Sequence, residues 1–238
     1  MKHVIIVLML AIIMPSQVCS QVQNDKWNIT GELMLPASMG NKMFRNYMSG
    51  LVYAHPKIQY KPLKQLYIAF GPKYMFYRAN EFRIPFEPNV SNDSVFDHQK
   101  VYSMRGGMHV LGGDVEVGWT NWLAPRFALE IGVRCGVAHH WFKTTGTKVY
   151  GKQEVTALYV EPLISLVLAA DEAVAYRWVF GYNFTGYQFN GTRIGSTSSG
   201  GYKPEDLKAP TQSLFVGFAI SYYFNNQRSD VFINGDSE

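Results

Sequence analysis

The chain has 238 residues, 47% of them hydrophobic and 15% aromatic, with 22 Lys and Arg against 18 Asp and Glu. That length suits one domain, and a formal charge of +4, scattered along the sequence, excludes the clustered basic footprint of a nucleic-acid binder. A mean hydropathy of -0.09 and the lack of a long apolar run after residue 20 exclude membrane-spanning helices but not spanning strands, whose alternation averages out in such an index.

The N-terminus reads as a secretory signal. Lys2 and His3 give a basic start, residues 4–14 are uninterruptedly apolar, Pro15 breaks the run, and Val18-Cys19-Ser20 resembles a small-residue cleavage site. The expected division is residues 1–20 as signal, 21–224 as the folded body and 225–238 as a polar tail, with Gln21 first in the mature chain. The rival is a lipoprotein signal in which Cys19 becomes the lipidated first residue, although Val18 fits that pattern poorly. Once the signal is removed, Cys135 is the remaining cysteine, and no intramolecular disulfide is expected.

Eight strands follow in order. The first, residues 27–35, puts Trp27, Ile29, Leu33 and Leu35 on one face and Glu32 on the other; residues 36–48 are a loop. The second, 49–60, sets Val52, Ala54, Ile58 and Tyr60 against Tyr53, His55, Lys57 and Gln59, and a short turn follows at 61–64. The third, 65–77, sets Leu66, Ile68, Phe70, Tyr74 and Phe76 against Ala69, Gly71 and Lys73, before a long polar loop at 78–100. In the fourth, 101–119, a bulge or bend is expected at Gly112-Gly113, beyond which Val115, Val117 and Trp119 face away from Asp114 and Glu116.

A short turn at 121–125 leads to the fifth strand, 126–142, with Phe127, Leu129, Ile131, Val133, Cys135 and Val137 against Ala128, Glu130, Gly132, Arg134, Gly136 and Ala138. Cys135, in the apolar register, reads as an inert buried thiol. After a loop at 143–153, the sixth strand, 154–169, sets Leu158, Val160, Ile164, Leu166 and Leu168 against Tyr159, Glu161 and Ser165. A tight turn at 170–173 precedes the seventh, 174–187, whose Val174, Tyr176, Trp178, Phe180, Tyr182 and Phe184 oppose Ala175, Arg177, Val179, Gly181, Asn183 and Thr185. A Ser/Gly-rich loop at 190–210 separates it from the eighth strand, 214–224.

Successive strand side chains point to opposite faces. A ladder of Trp, Phe and Tyr cannot fill the inside of a narrow barrel, but it makes sense turned into lipid. The expectation is therefore an all-β fold, a single eight-stranded antiparallel transmembrane β-barrel in the cell outer membrane. Short and long connections alternate, as periplasmic turns and extracellular loops do. Two aromatic bands agree with this frame: Trp27, Tyr60, Trp119, Trp122, Trp178 and Tyr222 near the short turns, and Tyr74, Phe76, Tyr102, Trp141, Phe184 and Tyr187 near the long loops. Pro56, Pro72 and Pro162 fall inside strands, and each is expected to mark a bulge.

The inward set is Glu32, Lys57, Lys73, Asp114, Glu116, Glu130, Arg134, Glu161 and Arg177. Both signs are nearly balanced, so ion pairs filling the lumen are expected. A structural plug is favoured over a proton or solute path, because so small a barrel is normally filled. Chemistry is harder to place. His139 and His140 are adjacent and must point to opposite faces, so they cannot jointly chelate a metal; His98 and His109 are isolated, and neither a metal nor another cofactor is expected. Lipid A deacylases, small barrels too, place a Ser two residues after a His, whereas Trp141, Phe142, Leu111 and Lys100 stand there in this chain.

In architecture, over about residues 27–224, the chain resembles the small eight-stranded outer-membrane barrels of Gram-negative bacteria. It is most similar to the Bacteroidota-type outer membrane protein β-barrel families that parallel OmpX and the transmembrane domain of OmpA. Gly217, Ile220, Tyr222 and Phe224 look like the C-terminal signal read by the barrel-assembly machinery, although Phe215 stands where a polar residue is usual and the tail follows the signal. These families share no catalytic residues. The resemblance implies a non-enzymatic, integral outer-membrane protein, surrounded by outer-membrane lipid and lipopolysaccharide. Such a protein would act through its loops on an extracellular ligand or an envelope protein partner. A lipid-modifying enzyme with a site at the upper rim and an accessory subunit of a secretion machine remain the alternatives.

Overall fold

The computed structural model describes residues 26–79, 83–85, 101–103, 105–124, 126–145, 153–170, 173–189 and 204–224. The signal with Cys19, most of the loops at 78–100 and 190–210, His98, the side chain of Tyr102 and the C-terminal tail lie outside the described residues.

The elements in chain order are β1 (Trp27–Gly40), α1 (Lys42–Tyr47), β2 (Met48–Tyr60), β3 (Leu66–Ala79), β4 (Arg83–Pro85), β5 (Val101–Ser103), β6 (Arg105–Ala124), β7 (Phe127–Thr145), β8 (Gln153–Ala169), β9 (Val174–Thr185), α2 (Pro204–Lys208) and β10 (Thr211–Tyr223). Eight strands close into a barrel in the order β1-β10-β9-β8-β7-β6-β3-β2, and each pair is antiparallel. The short β4 and β5 pair only with each other, so the fourth barrel strand starts at Arg105, not at residue 101. β1 runs past the expected end at 35 through Pro36 to Gly40, and the loop after it contains α1.

The barrel is inside out relative to a soluble protein. Along β1, exposed and buried residues alternate strictly as far as Ala37. Leu33 is 64% exposed and Leu158 71%, while Arg134 and Glu161 are fully buried. No water-soluble monomer leaves so wide an apolar belt uncovered; against lipid, the same belt is the stable arrangement. β6 and β7, at 20 and 19 residues, exceed the roughly 9–11 residues needed to cross a bilayer and extend beyond it.

Several expectations are corrected. Among the described residues, register shifts occur only between Gly50 and Val52 and between Trp122 and Ala124. None occurs at Pro56, Pro72, Pro162 or Gly112-Gly113. The constant register between Ala54↔Tyr74 and Ile58↔Phe70 sets Pro56 opposite Pro72, so two residues without an N–H share one gap in one ladder. Each keeps its pairing on the other side, with Gly31 and Gly113 respectively. Pro162 likewise pairs with Val133 while the β8–β9 register passes it unchanged. Cys135 is exposed: in this fold the apolar register is the lipid register, so the thiol is not packed inside. Trp122 and Tyr187 are buried at 3% and 2% exposure. They sit at the heights of the two bands but have inward parity.

Inward glycines make room for rings. A Cβ at Gly118 would overlap the ring of Tyr67, and one at Gly181 the ring of Phe215. The end of the barrel with the longer connections is closed by an apolar cap. Met43, Phe44 and Tyr47 of α1 pack with Met48, Tyr77, Tyr187 and Phe189. Asn41 stitches the cap together: its side-chain oxygen accepts from the Phe44 N–H at 3.0 Å, and its amide donates to the carbonyls of Phe189, Leu207 and Ala209 at 3.0–3.1 Å.

Candidate functional site

Strand alternation delivers the charged residues to the lumen, and the register decides which of them meet. All nine inward residues are at most 8% exposed. Seven form one network. The Arg134 guanidinium reaches across it, with Nε 2.9 Å from Glu116 Oε2, Nη2 2.8 Å from Glu32 Oε2, and Nη1 2.9 Å from the Tyr53 hydroxyl and 3.4 Å from Glu161 Oε2. Lys57 Nζ lies 2.7 Å from both Glu32 and Glu116, and Lys73 Nζ 2.5 Å from Glu161. Asp114 accepts from the Tyr159 hydroxyl at 2.6 Å and faces His55 Nε2 at 3.0 Å. Glu130 and Arg177 stand apart as a second pair, supported by Thr120 on the carboxylate and the Tyr223 hydroxyl on the guanidinium.

Sequence reasoning counted formal charges and so missed the residues that complete the network: His55, Tyr53, Tyr67, Tyr159 and Asn183. Their inward parity was the available signal. His55 is the most informative. Its Nδ1 lies 3.1 Å from Glu32 Oε2 and its Nε2 3.0 Å from Asp114 Oδ1. A neutral imidazole has a single N–H, whereas an imidazolium donates from both nitrogens. The ring thereby bridges Asp114 to the Glu32 side of the network. Glu32, His55 and Glu116 also bring three potential ligand atoms within 4.8 Å of one another, but the Lys57 ammonium already takes the cationic position between the two carboxylates.

Above the network is a cavity of about 10 Å³ lined by Lys73, Tyr77, His140, Asn183, Thr185 and Ser213. His140 is 5% exposed, stacks on Tyr187 at 5.1 Å, and has no hydrogen-bond partner on either ring nitrogen among the described residues. Replacing it with Phe preserves the stacking and removes two unpaired buried groups. The unfolding free energy of the refolded H140F barrel, read from urea titration, is therefore expected to rise by about 1 kcal/mol; a fall would show that a ring nitrogen is satisfied. His139 points the other way, outward, with Nδ1 3.0 Å from Thr156 Oγ1. Ile220 and Tyr222 on β10, and Phe224 one residue past its end, are outward and 57%, 53% and 43% exposed. Gly217 has the opposite, inward parity, where a Cβ would meet the buried Met34, and Phe215, also inward, is fully buried and edge-on to Tyr53 at 5.1 Å.

No protein-family model and no curated protein matches the chain by sequence. Solved structures do match. Neisserial surface protein A (NspA) superposes with a TM-score of 0.51 at 11% identity, covering 83% of this chain and 97% of that one. Ail, the attachment invasion locus protein of Yersinia pestis, in complex with the heparin analogue sucrose octasulfate, matches with a TM-score of 0.47 at 8% identity over 84% of this chain and 99% of that one. The N-terminal β-barrel domain of Pseudomonas aeruginosa OprF matches with a TM-score of 0.38 at 11% identity over 83% and 97%. The class is thus fixed by the closed barrel, its apolar belt and the NspA likeness: a small eight-stranded outer-membrane β-barrel. The likeness is one of fold, and the chain is an outer-membrane protein of that architecture.

Proposed function

We propose that the chain is a non-enzymatic outer-membrane protein whose lumen is plugged by its own side chains and which acts through its extracellular loops or a membrane partner. The observation that carries this reading is the Arg134-centred network, which ties β1, β2, β6, β7 and β8 together across the lumen beneath the apolar cap built on α1. The long connections, at 78–100 and 190–210, exceed what joining two strands requires. We place them outside the cell, with the β10 pattern serving the assembly machinery.

Two measurements test this together. Purified protein in planar bilayers is expected to give no large, stable conductance; steady porin-like channels would overturn the plug. Shortening either long loop is expected to leave the barrel folded, since loop length costs little, while abolishing the cellular phenotype.

One observation favours the enzyme alternative: the outward His139–Thr156 contact at 3.0 Å joins a base to a hydroxyl. That reading requires the lipid A mass spectrum to change in an H139A/H140A double variant with the loops intact. No change is expected.

A further inference from the structure

We propose that the outward face of β3, β6, β7 and β8, at the end with the long connections, is a headgroup site for the phosphorylated glycolipid of the outer leaflet. Five rings form one outward array across three strands. His109 on β6 stacks on Trp141 of β7 at 5.3 Å and 10°, and His139 stacks on the same indole at 5.8 Å and 28°. Phe76 and Tyr74 of β3 flank His109 at 4.9 and 6.2 Å. Two hydrogen bonds hold the imidazoles in place: Tyr74 Oη to His109 Nδ1 at 2.9 Å, and Thr156 Oγ1 to His139 Nδ1 at 3.0 Å. The second leaves His139 Nε2 pointing to the outside without a partner among the described residues.

Height along the strands sorts the chemistry. Lowest are Val137 and Leu158, cross-strand partners 47% and 71% exposed and suited to acyl chains, while Leu111 sits in the row of its partners Tyr74 and His139. The rings come next, at the depth where amphipathic aromatics sit in the headgroup region, and they offer flat faces to a sugar. Highest is Arg78, two residues beyond Phe76 on the same face of β3, exposed and without an ion-pair partner among the described residues. A guanidinium takes a phosphate with two parallel hydrogen bonds. This order of apolar surface, rings and cation matches acyl chain, sugar and phosphate. On the other side of the barrel, the outward rim positions of β1, β9 and β10 are the cross-strand partners Met39, Phe184 and Gln212, none of them a cation. Glu154, cross-strand from Trp141 and exposed, bounds the patch on β8 and opposes a phosphate there. The proposal needs only the membrane placement and is independent of what the loops bind.

The test reconstitutes the full chain in phosphatidylcholine vesicles containing bis-phosphorylated lipid A, its dephosphorylated form, or phosphatidylglycerol. Lipid retained on the protein after transfer to mild detergent is then counted by native mass spectrometry. Wild type is expected to retain bis-phosphorylated lipid A in preference to the other two. R78Q/H139Q should retain about tenfold less, the scale of losing charge-assisted hydrogen bonds, and E154Q should retain more. Equal retention of phosphatidylglycerol would reduce the patch to a non-specific anion surface and overturn the proposal. So would full retention of the dephosphorylated form, or an E154Q variant with no gain. If R78Q/H139Q failed to assemble, the E154Q comparison would still decide.

Discussion

Arg134→Met is expected to cost about 3–5 kcal/mol of barrel stability, the range for removing one partner of a buried ion pair. Arg134 is fully buried and contacts Glu32, Glu116 and Glu161. Without it, three carboxylates share Lys57 and Lys73 in a space closed to bulk water. Arg134→Lys should recover only part of the loss, because one ammonium cannot reproduce a planar fork spanning three acids. The measurement is the urea midpoint of the refolded protein, supported by its heat-dependent gel mobility. An unfolding free energy within about 1 kcal/mol of wild type would mean that the network is hydrated and its ion pairs contribute little.

The second large effect tests direction. Phe180 is 43% exposed in the middle of β9, opposite Val216 and Ile164, which are also exposed. Phe180→Arg is expected to weaken insertion by about 2–4 kcal/mol, the cost of an Arg side chain at the lipid midplane. Val179→Arg, one residue earlier and fully buried, meets the filled lumen instead, and its penalty is crowding. Single cysteines sharpen the contrast: positions 178, 180 and 182 should react with membrane-embedded probes while 179, 181 and 183 stay protected. Labelling of the odd positions alone would reverse the two faces of the barrel.

The period of two made most of the fold legible, because a lipid-facing ladder such as Tyr176, Trp178 and Phe180 has no other stable orientation. Parity also selected the charged residues that the lumen buries. Parity could not say which of them meet. That depends on register, and only register brings Arg134 of β7 between Glu32 of β1 and Glu161 of β8. Helix α1 was illegible because six residues have no periodic signature of their own; tertiary contacts of Met43 and Phe44 hold it. The bulges expected at prolines failed for a reason that no single strand contains. Pro56 and Pro72 meet across one pair of strands, so the missing donors fall in the same gap.

The pairing of β1 with β10, from Asn28↔Tyr223 to Gly40↔Thr211, also bears on how the molecule forms. It joins the first strand to the last, so the ladder of highest sequence separation is the one that seals the barrel. Such contacts raise contact order and slow folding, because the chain entropy of the largest loop is lost before closure returns anything. Until then, β1 and β10 each present a row of unpaired amide and carbonyl groups, and in hydrocarbon each such group costs several kcal/mol. Insertion therefore cannot run to completion strand by strand. The chain crosses the bilayer as a closing unit, and its ends are committed together.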